Sequence, residues 1–304
     1  MTRPATAPAA WRAVARRTLG PAQLALVPMA LAALGVYLGS MLWSLRISLS
    51  SSRSLPHYDF VGLSQYQRLF ANERWLHSLH NLALYTPLFI AACLVVGFLL
   101  ALLVDRHAKT AGLLRGIFLY PYALSFIATG LIWQWLLNPE LGIQQVVRGW
   151  GWAGFGFDWL IDPDRVIYTL VIATVWQGAG LVMAVLLAGL RGIDADVLRA
   201  ARLDGVSAWR IQVSLVIPML KFSFATAALL LLTAAVKLYD AVIAMTQGGP
   251  GTASEVPAKF IMDHLFGRAN IALASAGATV MVLTAVALLA PLVYARRRAQ
   301  SASR

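Results

Sequence analysis

Few side chains in this sequence are equipped for chemistry, and most of those lie inside hydrophobic runs. Lys237 and Asp240 are three residues apart in one such run, with Tyr239 beside them. On a single helix they would share a face and could pair. Ionisable groups inside a long apolar run are costly and mark solute or ion pathways by default. Counting about 1.5 Å per residue from Met219 sets Lys237 roughly 27 Å along, near a boundary where a lysine can reach water. Solute contact and a structural pair lining an outer vestibule are both open, and the second is the simpler account. Trp176 and Gln177 sit about mid-way along another run, which starts at Val166. An indole face can stack on an apolar C–H surface, and an adjacent amide can donate to and accept from hydroxyls. Helix packing, with Gln177 bonded to a neighbouring helix, is the alternative.

Trp133 and Trp135 lie at the end of a third run, where an interfacial aromatic belt explains them better than a solute does; Asn138 follows and completes the pathway candidates. His77 and His80 share a helical spacing beside Arg74, in what reads as a polar connection. Solvated residues explain them better than metal ligands, and no carboxylate pair, nucleophile or metal constellation recurs at a useful spacing. Cys93 is the single cysteine and excludes a disulfide framework or a cysteine-based metal site. A phosphate-cradling loop needs Gly-Lys, and none of Lys109, Lys221, Lys237 and Lys259 follows a glycine. No cofactor or metal is therefore expected on this chain, and nothing in it makes an enzyme.

The elements that must position these residues are membrane spans. Of 304 residues, 59% are hydrophobic and 12% charged, against about 25% charged in an average soluble domain. The net charge of +12 is spread between and beside the apolar runs rather than gathered in one basic domain, which argues against nucleic acid. The first run, Ala22 to Leu45, follows a basic segment over 1–21 and exceeds the about 7–15 residues of a signal peptide's core. It reads as a retained span, with the Arg16-Arg17 pair only weak evidence for a twin-arginine signal. Further spans read as Leu82 to Val104, Gly116 to Leu137, Val166 to Leu190, about Met219 to Ile243, and Ile271 to Tyr294. Such lengths suit helices crossing a core of about 30 Å and exclude a barrel, whose strands alternate. The fold expected is all-α and polytopic: six spans, a polar connection over 46–81, a five-span core over 82–295 and a basic tail over 296–304. With both termini cytoplasmic, inner connections carry sixteen Lys and Arg against eight outside, which favours that orientation.

One inner connection, 191–218, has a pattern of its own. Asp194 can cap a short helix with Asp196 in its first turn, and Val197, Leu198, Ala201 and Leu203 offer an apolar stripe. Asp204-Gly205 is a turn signal, and Ser207 can cap a second helix running through Trp209 toward Pro218. The result is a compact double-helical knob. The residues alone support a docking knob and a hairpin resting on lipid head groups equally.

The string Arg199-Ala200-Ala201-Arg202-Leu203-Asp204-Gly205, followed by Leu215-Val216-Ile217-Pro218, resembles the EAA motif of permeases in binding-protein-dependent ABC importers. That resemblance implies that the knob is the coupling helix, docked in a groove of a cytoplasmic ATPase. Ala200, Ala201, Asp204, Gly205 and Pro218 fall on motif positions, with Val206 and Trp209 alongside; Arg199 replaces the motif's glutamate, for which Asp196 is a substitute. Gly62-Leu63-Ser64-Gln65-Tyr66, Leu119-Tyr120-Pro121 before Trp133-Gln134-Trp135, Trp159-Leu160-Ile161-Asp162-Pro163, Trp176-Gln177-Gly178 and Leu187-Ala188-Gly189-Leu190 are similar to segments of the carbohydrate branch. Tyr239-Asp240 leading to Thr246-Gln247-Gly248-Gly249-Pro250 looks like the first of a pair of sugar permeases. Tyr120-Pro121-Tyr122-Ala123-Leu124-Ser125-Phe126 and Ser254-Glu255-Val256-Pro257-Ala258 look like the glucose/mannose and α-glucoside subgroup.

The resemblance spans about residues 58 to 295. It implies a type I ABC importer transmembrane domain in a bacterial inner membrane, paired with a second homologous permease. Two copies of an ATPase, holding the ATP and Mg, and an external sugar-binding protein would complete the assembly. An ion-gradient-driven secondary transporter is the rival; it predicts repeat symmetry and broken helices with buried carboxylates near mid-depth. The runs read here as unbroken spans without such carboxylates.

Overall fold

The computed structural model describes the backbone of residues 21–107 and 109–301, and the side chains of 26–107, 109–288 and 290. Arg3, Arg12, Arg16, Arg17 and Arg304 lie outside the described residues, as do the side chains of Arg296, Arg297 and Arg298. A lone Ser50–Phe60 bridge is the only strand-like pairing among the described residues. All else that is regular is helical, because a backbone in lipid must satisfy its own polar groups.

Helix α1 (Pro21–Ser48) is apolar on every side and leaves nearly all of its surface uncovered. A helix hydrophobic all round suits a lipid environment. The chain then turns through α2 (Ser64–Phe70) into α3 (Glu73–Arg106), where Asn72 accepts from the backbone N–H groups of Arg74 and Trp75. This cap starts α3 nine residues ahead of the expected Leu82. His77 and His80 consequently sit on α3, their rings stacked at 6.5 Å, and not in a loop.

Helix α3 packs along α7 (Val166–Arg191) in the most extensive contact of the molecule. In lipid no hydrophobic force drives helices together, so close backbone approach must do so. Gly97 supplies it on α3: a Cβ there would meet Val182 Cγ1 at 2.5 Å. On the other side of α7, Gly180 lies against α4 (Ala111–Ala123), where a Cβ would come within 2.1 Å of the Phe118 carbonyl oxygen. Gly180→Ala is therefore expected to force α4 from α7 at a cost of about 1–3 kcal/mol. Thermal unfolding of the purified protein in detergent checks this, and an unchanged midpoint would refute the close approach.

Two expected spans are broken. The third is α4 followed by α5 (Phe126–Leu136), bent by 96°. Pro121 leaves its ring near the end of α4, Leu124 is extended, and Ser125 Oγ accepts from Ala128 N to start a new helix. The fifth consists of a helix over Ala208–Met219, then α11 (Lys221–Val236), bent by 69° just after Pro218. The first of these comprises α9 (Ala208–Ile211), a π turn over Gln212–Val216 and α10 (Ile217–Met219). A second break at Lys237–Tyr239 separates α11 from α12 (Asp240–Met245). The reading of unbroken spans is thus corrected. So is the shared helix face of Lys237 and Asp240: Lys237 lies in the break after α11 and Asp240 starts α12, and the two form no ion pair among the described residues.

The remaining helices are α6 (Ile143–Gly149), α8 (Ala195–Leu203), α13 (Pro257–Met262) and α14 (Ile271–Ser301). Helix α14 runs beside α1, and its first N–H groups, those of Ile271 and Ala272, donate to the carbonyls of Arg53 and Ser52. At this end Trp75 packs on Phe260 at 5.2 Å, with Leu69 and Leu273 closing the cluster.

Candidate functional site

The breaks in the third and fifth spans open on a common cavity of about 640 Å3 between α3, α7 and α11. Its wall is mainly apolar, interrupted by Tyr122, Gln177, Thr233, Lys237, Tyr239 and Asp240. Gln177, fully buried, donates from Nε2 to the Leu124 carbonyl at 2.8 Å, an acceptor that the α4–α5 break leaves without a helical partner. Its Oε1 is buried with no partner among the described residues. Tyr85, also on the wall, donates to Thr174 Oγ1 at 2.8 Å and pins α3 to α7 below it. Lys237 and Asp240, both exposed, carry opposite charges at the cavity edge, so the mainly apolar site carries no net charge. Such a lining suits a neutral, hydroxyl-rich solute.

The knob forms over 191–218 as expected, and its turn is defined by hydrogen bonds. Asp194 Oδ1 accepts from Asp196 N at 2.9 Å and caps α8. At the far end Gly205 N donates to Arg202 O and Val206 N to Ala201 O, with Gly205 at φ +72°. This is a Schellman closure, which calls for a residue that accepts left-handed backbone. Ala201 and Val206 face inward, packed with Ile211, Val216 and Leu220. Arg199 pairs with Asp196 at 3.2 Å on the surface, where both are largely exposed and the pair contributes little stability. The expected apolar stripe is corrected at two positions: Leu203 is 89% exposed and Val197 40%, so that only Leu198 and Ala201 pack inward. Ser207 occupies the cap position of α9 but makes no side-chain cap bond.

At the end opposite the knob, a cluster of charge ties the α12–α13 loop to α3. Arg74 bonds both Glu255 and Asp263, and Lys259 donates to Asp263 at 2.7 Å. Asn81 Nδ2 donates to the carbonyls of Ala253 and Glu255, each at 2.9 Å. Ser254 Oγ bonds Thr246 and the Gly249 carbonyl, both at 2.7 Å, and folds the loop on itself. Burial pushes the Asp263 carboxyl up, but its bonds to Lys259 and Arg74 outweigh this and hold it below the usual carboxylate range. His264, buried against Phe260, is held below the usual imidazole range by burial and by the charges of Arg268 and Arg74, against the pull of its Phe260 carbonyl bond.

A family model described as binding-protein-dependent transport system inner membrane component matches residues 93–300, more than half of the chain. The chain belongs to that family. This permease is 33% identical over 278 residues to a probable ABC transporter permease of Pyrococcus horikoshii, covering 89% of this chain and 94% of the relative. It is 29% identical to a xylose/arabinose import permease of Haloferax volcanii, over 88% of this chain and 85% of that one. A trehalose transport system permease of Mycobacterium tuberculosis is also 29% identical, over 91% and 88%. Among solved structures, a bacterial ABC transporter that imports the acidic polysaccharide alginate superposes with a TM-score of 0.77 over 92% of this chain and 96% of that one. At 17% identity that likeness shows the fold, an all-α importer permease. The permease is accordingly a multi-pass inner-membrane component.

Of the pathway candidates read from the sequence, Gln177, Lys237, Tyr239 and Asp240 meet at the cavity of this permease. The others lie elsewhere. Trp176 is on the next face of α7, with its ring edge-on to Trp133 at 6.0 Å, so the two tryptophans pack on each other instead of on the cavity. Trp135 is 77% exposed in a shallow hollow beside Leu141 and Trp150. Asn138 Oδ1 accepts from the N–H groups of Glu140 and Leu141 and serves a turn. Trp209, grouped with the coupling residues, extends from α9 over a groove along α3. Sequence reasoning missed Tyr85, Tyr122, Thr174 and Thr233, which carry no charge and sit in apolar runs; only the Pro121 and Ser125 signals hinted that Tyr122 borders a break.

Proposed function

We propose that this permease is the sugar-conducting subunit of an ATP-driven importer, passing a neutral mono- or oligosaccharide of the glucose/mannose or α-glucoside class. The observation that carries this reading is the cavity at the broken spans, lined with no net charge by Tyr122, Tyr239 and Gln177, whose buried amide oxygen has no partner among the described residues. Sugar hydroxyls would donate to Gln177 Oε1, and tyrosine faces would receive C–H surface. The trehalose and xylose/arabinose relatives carry the names of sugar permeases, which supports a sugar as the solute.

In this reading the knob faces the cytoplasm with both termini and presents Arg199, Ala200, Asp204 and Gly205 to an ATPase. Its rigid Schellman closure makes it a lever. Two ATPase copies with ATP and Mg supply the energy, a second homologous permease forms the other wall, and a loaded binding protein docks at the opposite end. The bent spans favour a second reading, a gradient-driven carrier, because that class uses broken helices.

Uptake of labelled glucose, mannose and methyl α-glucoside into vesicles holding the complete assembly separates the two. Uptake is expected to need ATP and to survive collapse of ion gradients; transport without the ATPase that stops on such collapse would overturn the proposal. In the same assay Gln177→Leu should lower uptake about tenfold, the equivalent of one hydrogen bond. Uptake equal to the parent would remove the cavity from the route.

A further inference from the structure

A groove of about 720 Å3 runs along the outside of the molecule at the knob end, between α3 and the helix that leads from the knob into α11. Leu94, Phe98 and Leu102 wall it from α3, and Trp209, Val213 and Ile217 from the other side. Its polar groups are few. Arg106 and His107 end α3 at one mouth, both exposed, and neither makes an ion pair among the described residues. His107 Nδ1 bonds the Leu103 carbonyl at 2.9 Å, which leaves Nε2 as its unused nitrogen. Gln212 also lines the groove, with its amide oxygen buried and without a partner among the described residues.

We propose that this groove binds an anionic glycerophospholipid of the knob-side leaflet, with its phosphate on Arg106 and His107 and an acyl chain along the apolar wall. Hydrocarbon is the surrounding medium of a membrane helix, so the wall alone cannot favour one lipid over another. Preference must come from the head group. A guanidinium and an imidazole at the rim of an apolar channel complement a phosphate that is itself joined to apolar chains, and basic groups at this level draw anionic lipids. Gln212 stands about one turn into the helix from Trp209, further along the groove, and its amide N–H2 can donate to an ester carbonyl. This occupant supplies an anion for the Arg106 guanidinium and an acceptor for the Gln212 amide N–H2. A helix of a partner chain would fill the apolar wall but would leave the Arg106 guanidinium without an anion.

Trp209 is a reporter built into the site. The assembled transporter is placed in phosphatidylcholine vesicles containing brominated phosphatidylglycerol or, separately, the same fraction of brominated phosphatidylcholine. The quenching due to Trp209 is the part lost in Trp209→Phe. It should be several-fold stronger with the anionic lipid, and the double replacement Arg106→Gln with His107→Gln should bring the ratio to about one. Native mass spectrometry of the same samples should show retained phosphatidylglycerol on the parent and its loss from the double variant. Equal quenching by both lipids would mean an unselective lipid shell and overturn the proposal. Absence of any Trp209-dependent quenching would mean that protein covers the groove, and would overturn it equally. Both variants are at exposed positions, so folding is not at stake.

Discussion

Gly205→Val should abolish uptake by the assembled importer while the protein still inserts and accumulates at parental levels. Gly205 has a φ of +72°, and among the described residues no atom beyond its chain neighbours lies within 4 Å of where a Cβ would stand. A Cβ there meets no neighbour among the described residues, so the penalty lies in the backbone. For a β-branched residue that penalty is about 2 kcal/mol or more, enough to shift the turn out of its closed form by over tenfold. The bonds Gly205 N to Arg202 O and Val206 N to Ala201 O then open, and α8 loses its angle to α9. The spans lie outside this change, which is why insertion persists. Gly205→Asn is the control, since asparagine tolerates left-handed backbone and should retain most of the uptake. Normal transport by the valine variant would show that the knob does not carry force.

Arg74→Met should be the most destabilising single replacement at the opposite end. The Glu255 side chain is 1% exposed and takes its charge balance from Arg74. Removing one partner of a buried pair leaves an uncompensated charge, at a cost of about 3–5 kcal/mol. Arg74 is itself 20% exposed, so water reduces the effect toward the lower figure. The melting temperature in detergent reads it directly. Adding Glu255→Gln to Arg74→Met removes the stranded charge and should restore more than half of the loss, while Asn81 still holds the loop through the Ala253 and Glu255 carbonyls. A double variant less stable than the single one would mean that Glu255 answers to some other cation.

The helical class and the knob could be read from the sequence because both rest on local rules. Uninterrupted apolar runs admit few solutions in lipid, and Asp194, Asp204-Gly205 and Ser207 are short-range signals; two of these three act as read, with Asp194 capping α8 and Gly205 closing its turn. The breaks were less legible. Leu124 and Lys237 interrupt runs whose composition stays apolar on both sides, and a hydropathy count averages across such points. The signals were present as Pro121, Ser125 and Pro218, each near a bend. The Arg74–Glu255–Asp263 cluster joins residues more than 180 positions apart and leaves no local trace. The same is true of Tyr85 and Thr174, whose bond spans 89 positions.

The carbonyls of Ser52 and Arg53 complete the first turn of α14. Amide protons at Ile271 and Ala272 are thus shielded by a segment more than two hundred residues earlier in the chain. In deuterated solvent those two sites should gain mass together with the stretch after α1, on one time course, so that the first and last helices open as a single unit.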